Sequence, residues 1–310
     1  MSSRCLPTLP NMNTKSFLIR GVVIAALAIV SISAPVVAEK PATKEKSFKI
    51  PETDEGLPGA GPIRRYEWFQ KLWERKRSGW AGRGDADKGA VFFFGDSITQ
   101  GWGDDMKGSF PGVKVANRGI SGDTTRGMLI RLKEDVLDQG PSGVVLLAGT
   151  NDLEEGAEPK VIADNMKLIL DALQKYDHSM PIYLCMVFPS SDKKKRPSDK
   201  IKEINALYRE VAKGEPQISI IETWKLFANE EGDAKAEEFP DLLHPNDKGY
   251  AKWASALRPF LALYGYLDSE KDEFELEEGF ESLLNGKDLT GWGYIENKKR
   301  GWKREVFDVI

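Results

Sequence analysis

The sequence predicts an α/β fold built as a three-layer α/β/α sandwich. Two observations carry this. Short, largely apolar runs recur at residues 90–94 (AVFFF), 113–116, 144–148 (VVLLA), 182–188 and 218–221. Between them lie stretches whose apolar residues repeat at helical spacing. A strand that is apolar on both sides needs cover on both faces, which a parallel sheet between helices provides. Right-handed crossovers then distribute the helices to the two faces.

Taken in order, the chain opens with an address. Residues 21–34 (GVVIAALAIVSISA) are apolar and uncharged, follow Lys15 and Arg20, and precede Val36, Val37 and Ala38. This is the pattern of a secretory signal peptide over residues 1–38, cut after Ala38, with Met12 the more ordinary start. The run is too short for a membrane span, so no stable membrane insertion is expected after cleavage, and the product is secreted or periplasmic. Residues 39–61 are rich in Lys, Pro, Glu and Gly and read as a flexible linker. Tyr66, Phe69, Leu72 and Trp73 then predict a short amphipathic helix packed on the domain. Further helical stripes are Ile162, Met166, Ile169 and Leu173; Ile201, Ile204, Tyr208 and Val211; and Tyr250, Trp253, Leu257, Phe260 and Tyr264. The core domain spans about residues 62–268. The basic run 193–196 is flanked by Asp192 and Asp199 and reads as a solvated loop, and residues 269–278 read as an acidic linker.

Composition narrows the chemistry. Lys plus Arg number 44 and Asp plus Glu 48, a net charge of -4. Removing residues 1–38 takes away three basic residues and no acids, leaving 41 against 48, or -7. No basic excess marks a nucleic-acid partner. Two histidines and two cysteines leave little room for a zinc finger or a multi-His metal centre. Once the signal is removed Cys185 stands alone in an apolar run, where it reads as a small buried hydrophobe.

The chemistry-bearing residues fall at strand ends, where open parallel sheets place their ligands. The first run is followed by Gly95-Asp96-Ser97-Ile98-Thr99, and Ser97 there either presents a hydroxyl to a cleft or caps a helix. The second is followed by Asn117 to Thr125 (NRGISGDTT), where glycines admit close backbone approach and Asp123 or Thr124 can cap a helix. The third is followed by Gly149-Thr150-Asn151-Asp152; Asn151 is a neutral donor or a turn residue. Near the end of the domain, Asp241 and His244 stand three apart, close enough for the carboxylate to hold one ring nitrogen and leave the other for a serine. His178 lies in a polar loop leading to the amino end of the fourth strand, the wrong edge for that role.

These four segments, in order over about residues 88–265, resemble the SGNH or GDSL hydrolase family. The resemblance implies a flavodoxin-like five-stranded sheet of order 2-1-3-4-5. It implies Ser97 as nucleophile, His244 as general base and acid, and Asp241 as its orienting partner. It places the oxyanion hole at the N–H groups of Ser97 and Gly122 and the side chain of Asn151. It implies neither cofactor nor metal ion. The first block reads GDSIT where the family name gives GDSL, which leaves the serine setting intact. Residues 279–292 (GFESLLNGKDLTGW) resemble the opening of a 3-keto-disaccharide hydrolase domain, a concanavalin-like β-sandwich. Residues 279–310 would be the start of such a domain, or a short stalk.

Together these readings predict an exported serine esterase acting on a small-molecule or glycan ester, with removal of acetyl from carbohydrate the leading expectation. The alternatives are a lysophospholipase or thioesterase acting on lipid acyl chains, and a carbohydrate-binding protein that has lost activity. No segment fixes the oligomeric state.

Overall fold

The computed structural model describes residues 48–267 and the short pairs 292–293 and 303–304. The expected signal peptide, residues 39–47 of the linker, the acidic linker and the second domain lie outside the described residues. The exception is a two-residue antiparallel pairing of Trp292–Gly293 with Lys303–Arg304.

Five strands form one parallel sheet: β1 (Val91–Gly95), β2 (Val115–Gly119), β3 (Gly143–Leu147), β4 (Ile182–Cys185) and β5 (Ile218–Ile221), in the order β2-β1-β3-β4-β5. The helices are α1 (Glu67–Ala81), α2 (Ser97–Gly101), α3 (Thr125–Asp135), α4 (Thr150–Glu154), α5 (Pro159–Tyr176), α6 (Ser198–Val211), α7 (Thr223–Phe227) and α8 (Asp247–Leu263). Successive strand residues point to opposite faces, and the core divides accordingly. Phe92, Phe94, Val144, Leu146, Ile182 and Leu184 pack against Met128 and Leu132 of α3, Ile162, Met166 and Ile169 of α5, and Ile201 and Ile204 of α6. Val91, Phe93, Val145, Leu147, Tyr183 and Cys185 face the other way, against Trp253, Leu257 and Leu261 of α8. These are the three layers that the apolar runs require.

The register sets up the site. Gly95 at the end of β1 is level with Gly119 of β2 and with Leu147 of β3. The chain therefore leaves all three strands at one edge, carrying Ser97, Gly122 and Asn151 out together. Gly119 is needed there: a Cβ on it would collide with the backbone of Gln100 in α2.

Two expectations change. Phe48 and Ile50, from the stretch expected as linker, are 7% and 8% exposed. Ile50 joins Ile63, Phe69, Trp73, Trp80 and Ile120 in a third cluster, under α1. Asp54 accepts from Arg65 at 2.6 Å and from Arg126 at 2.5 Å. The sparse apolar residues of a Pro- and Gly-rich stretch have no period, so their burial is set by the partner surface and not by local pattern. The fourth apolar run also ends as a strand at Cys185. Beyond it Val187 stays buried, its N–H and C=O taken by the Asn205 side chain at 2.7 and 3.0 Å. A buried loop with satisfied backbone reads like a strand in sequence.

Candidate active site

Asp96, not Ser97, caps α2. Its carboxylate accepts from the Ile98 N–H at 2.9 Å, and Ser97 begins the helix as its first residue. Thr124 caps α3, its hydroxyl accepting from the Gly127 N–H at 3.2 Å. The serine hydroxyl is thus spared from capping and turns to the edge of the sheet. There Ser97 Oγ lies 3.0 Å from His244 Nε2, and His244 Nδ1 lies 2.8 Å from Asp241 Oδ2.

The turn from Asp241 to His244 is built around that carboxylate. Asp241 Oδ1 accepts from the backbone N–H of His244 at 2.7 Å and of Leu243 at 3.0 Å. Leu242 between them takes φ +62°, a left-handed conformation that costs a non-glycine residue. Burial opposes ionisation of Asp241, but the hydrogen bonds from the His244 N–H and ring and from the Leu243 N–H outweigh it and hold the carboxyl down at about 2. An ionised Asp241 can only accept. Nδ1 must therefore carry the proton, and Nε2 presents its lone pair to the Ser97 hydroxyl.

Helix α8 fixes this turn to the serine. Asn246 caps α8, and one turn later the Tyr250 hydroxyl donates to the Ile98 carbonyl at 2.8 Å. The residue after the nucleophile candidate is thereby tied to the helix that directly follows the histidine turn. His178 is exposed on the loop before β4, away from this edge, as expected.

Asn151 joins the remaining two segments. Its Nδ2 donates to the main-chain oxygen of Asp123 at 2.9 Å and to Asp96 Oδ2 at 3.2 Å. It thus bridges the residue after Gly122 and the residue before Ser97. Gly122 itself has φ +87°, and a Cβ there would meet Trp68 at 2.7 Å and Arg64 at 2.9 Å. Glycine is required both for the turn and for the close approach of these side chains.

Beneath the edge lie three buried aspartates. Burial pushes Asp96 up to about 6, against the Ile98 N–H and the positive charges of Arg196 and Arg64. Burial pushes Asp123 up to about 7 against the pull of Arg131, and Asp152 up to about 6 against its hydrogen bonds from Thr125. Asp123 is paired with Arg131 at 2.7 Å, both side chains fully buried, and Arg131 also donates to the Gly95 carbonyl at 3.0 Å.

Two residues near the site carry no local signal. Arg196 ends the basic run read as a solvated loop, yet it is 2% exposed and donates from Nη2 to Asn151 Oδ1 at 3.2 Å. Arg64 is 7% exposed and pairs with Glu155 at 2.6 Å and with Glu154. Cys185 is fully buried, and burial pushes its thiol up to about 12, which fits a core side chain and not a nucleophile.

A parallel sheet that brings a serine, an imidazole and a carboxylate into series at its carboxyl edge defines a hydrolase-like α/β protein. The family model of GDSL-like lipases and acylhydrolases matches residues 93–252, and the chain belongs to that family; it is an ester hydrolase of the lipase and acylhydrolase type. It is 27% identical over 174 residues to the human protein "Platelet-activating factor acetylhydrolase IB subunit alpha2", covering 55% of this chain and 75% of that one. Over a shorter stretch of 42 residues, 14% of this chain and 19% of the relative, it is 45% identical to an acetylxylan esterase of Geobacillus stearothermophilus. In fold it is similar to a GDSL-like lipase from Bacteroides thetaiotaomicron, with a TM-score of 0.55 and 24% identity, over 61% of this chain and 97% of that one.

Proposed function

We propose that this protein is an exported serine esterase that removes small acyl groups, acetyl foremost, from carbohydrate. The observation that carries the catalytic part is the series Ser97 Oγ, His244 Nε2, His244 Nδ1 and Asp241, with separations of 3.0 and 2.8 Å. In the reaction, Ser97 Oγ attacks the ester carbonyl carbon while His244 Nε2 takes its proton. Charge develops on the carbonyl oxygen, where the N–H groups of Ser97 and Gly122 and the amide of Asn151 stabilise it. Each such donor contributes on the order of 3 kcal/mol. The tetrahedral intermediate collapses, the C–O bond to the alcohol breaks, and the imidazolium returns the proton to the leaving oxygen. Water then repeats the cycle on the acyl-serine and releases the acid. For Asn151 to serve the oxyanion, the longer of its two bonds, to Asp96, is the one to be exchanged.

Two features favour acetyl on a sugar. Two of the relatives are named for acetyl, one on xylan and one on platelet-activating factor. Tyr66 and Trp68 are also about half exposed, with rings 6.4 Å apart and inclined by 12°, and Trp68 lies against Gly122. Two exposed aromatic rings in nearly parallel planes suit the flat C–H face of a sugar ring better than a long acyl chain, which calls for an enclosed channel.

The test is hydrolysis of p-nitrophenyl acetate and octanoate, and of acetylated xylan, by wild type and Ser97→Ala. The proposal expects acetate to be preferred and the variant to lose at least about a thousandfold in kcat. Activity equal in both proteins, or a preference for octanoate, would overturn the catalytic and the acyl parts respectively.

A further inference from the structure

We propose that Arg196 is a positioning residue for the reaction: it orients the Asn151 amide and holds it as an oxyanion donor. This rests on the reading of Asn151 as part of the oxyanion hole. A carboxamide has an oxygen end and an NH2 end of nearly the same shape, and its neighbours decide which faces the reacting atoms. Arg196 Nη2 lies 3.2 Å from Asn151 Oδ1. A guanidinium has donors and no acceptor. A flipped amide would set its NH2 against the guanidinium, donor against donor, so Arg196 admits one orientation only. In that orientation Nδ2 bridges the Gly122 and Ser97 segments. A buried cation on the carbonyl oxygen also draws electron density from the amide and strengthens its N–H groups as donors.

The loop that carries Arg196 reaches both halves of the site. Ser190 donates to the Leu242 carbonyl at 2.8 Å, inside the turn that joins Asp241 to His244. Arg196 itself is held by Ser191 O, which accepts from its N–H at 3.1 Å, and by Glu154 at 2.8 Å. One connection after β4 therefore sets the amide of Asn151 and braces the base-bearing turn. The arrangement is not the best one for stability alone. Arg196 Nε is buried without a hydrogen-bond partner, a cost to folding. Glu154 already has Arg64 as a cation.

The experiment is a double-mutant cycle on p-nitrophenyl acetate, with kcat and KM measured separately and thermal midpoints recorded. Arg196→Met is expected to lower kcat by about 10- to 100-fold with KM nearly unchanged, because a misaimed donor weakens the transition state and not the ground state. Arg196→Lys, which restores a single donor, recovers part of that loss. In an Asn151→Ala background Arg196→Met costs little more. The proposal is overturned if Arg196→Met lowers kcat equally in both backgrounds, or if it lowers only the thermal midpoint. An Asn151→Ala variant with full activity would instead overturn the oxyanion role of Asn151 itself.

Discussion

At the scale of single residues, the polar groups of the Ser97–His244–Asp241 series are partnered within the protein itself. Asp241, held at about 2 by the His244 and Leu243 hydrogen bonds, stays ionised at every working pH and keeps the Nδ1 proton in place. In the proposed mechanism, activity then depends on His244 being neutral. The rate is expected to fall on acidification from about pH 8 to 5, because a protonated imidazole has no lone pair left to take the serine proton. A flat pH–rate profile there would speak against a histidine base. Trp68→Ala tests the sugar reading separately. It is expected to raise KM for acetylated xylan several-fold while the kcat on p-nitrophenyl acetate changes far less, since that ester carries no sugar ring for the aromatic pair to hold. Ser97, Asp241, His244, Gly122 and Asn151 were legible because each sits in a short stretch whose order along the chain is informative. Arg196 was not. Its four-residue basic run is solvated by every local criterion, and only the distant Asn151 and Glu154 side chains draw its last member inward.

At the scale of elements, α3 is tied to the site from below. Arg131 reaches from α3 to Asp123 and to the Gly95 carbonyl at the end of β1, beneath the rings of Trp73, Trp80 and Phe94. Removing it leaves Asp123 buried without its cation. Arg131→Met is expected to destabilise the fold by about 3–5 kcal/mol near neutral pH, read by denaturant unfolding. Burial already raises Asp123 to about 7, and a neutral carboxyl tolerates the loss better, so the deficit should shrink on acidification. An unchanged deficit from pH 8 to pH 5, roughly the span over which that carboxyl takes up its proton, would mean that Asp123 is not the group being stranded. Strands and amphipathic helices were foreseeable from their periods, since those periods report which side faces the core. Boundaries moved where burial came without a period, as at Val187 and at Ile50.

For the whole molecule, stability and activity should run in opposite directions with pH. Asp96, Asp123 and Asp152 are raised to about 6, 7 and 6 by burial. A carboxyl raised on folding favours the native state fully below its unfolded value, near 4, and that contribution is lost as pH rises through the folded value. The depressed Asp241 acts oppositely, but only as pH falls toward about 2. The thermal midpoint is therefore expected to rise from pH 8 to about 5, while hydrolysis slows. Calorimetry at half-unit steps checks this, and a midpoint that falls over that range would count against the buried, protonated state of these groups.

By itself the sequence determined the layered α/β architecture and the residues that meet at its carboxyl edge. Apolar periodicity and short ordered motifs are local properties, and each names its own face or turn. The tertiary structure alone decided the sheet register that levels Gly95, Gly119 and Leu147, the inward turn of Arg196, the packing of Phe48 and Ile50, and the burial of Asp96, Asp123 and Asp152. Those features depend on which distant groups arrive at the same place. Burial and charge pairing are sums over neighbours, and a chain read one window at a time does not contain its neighbours.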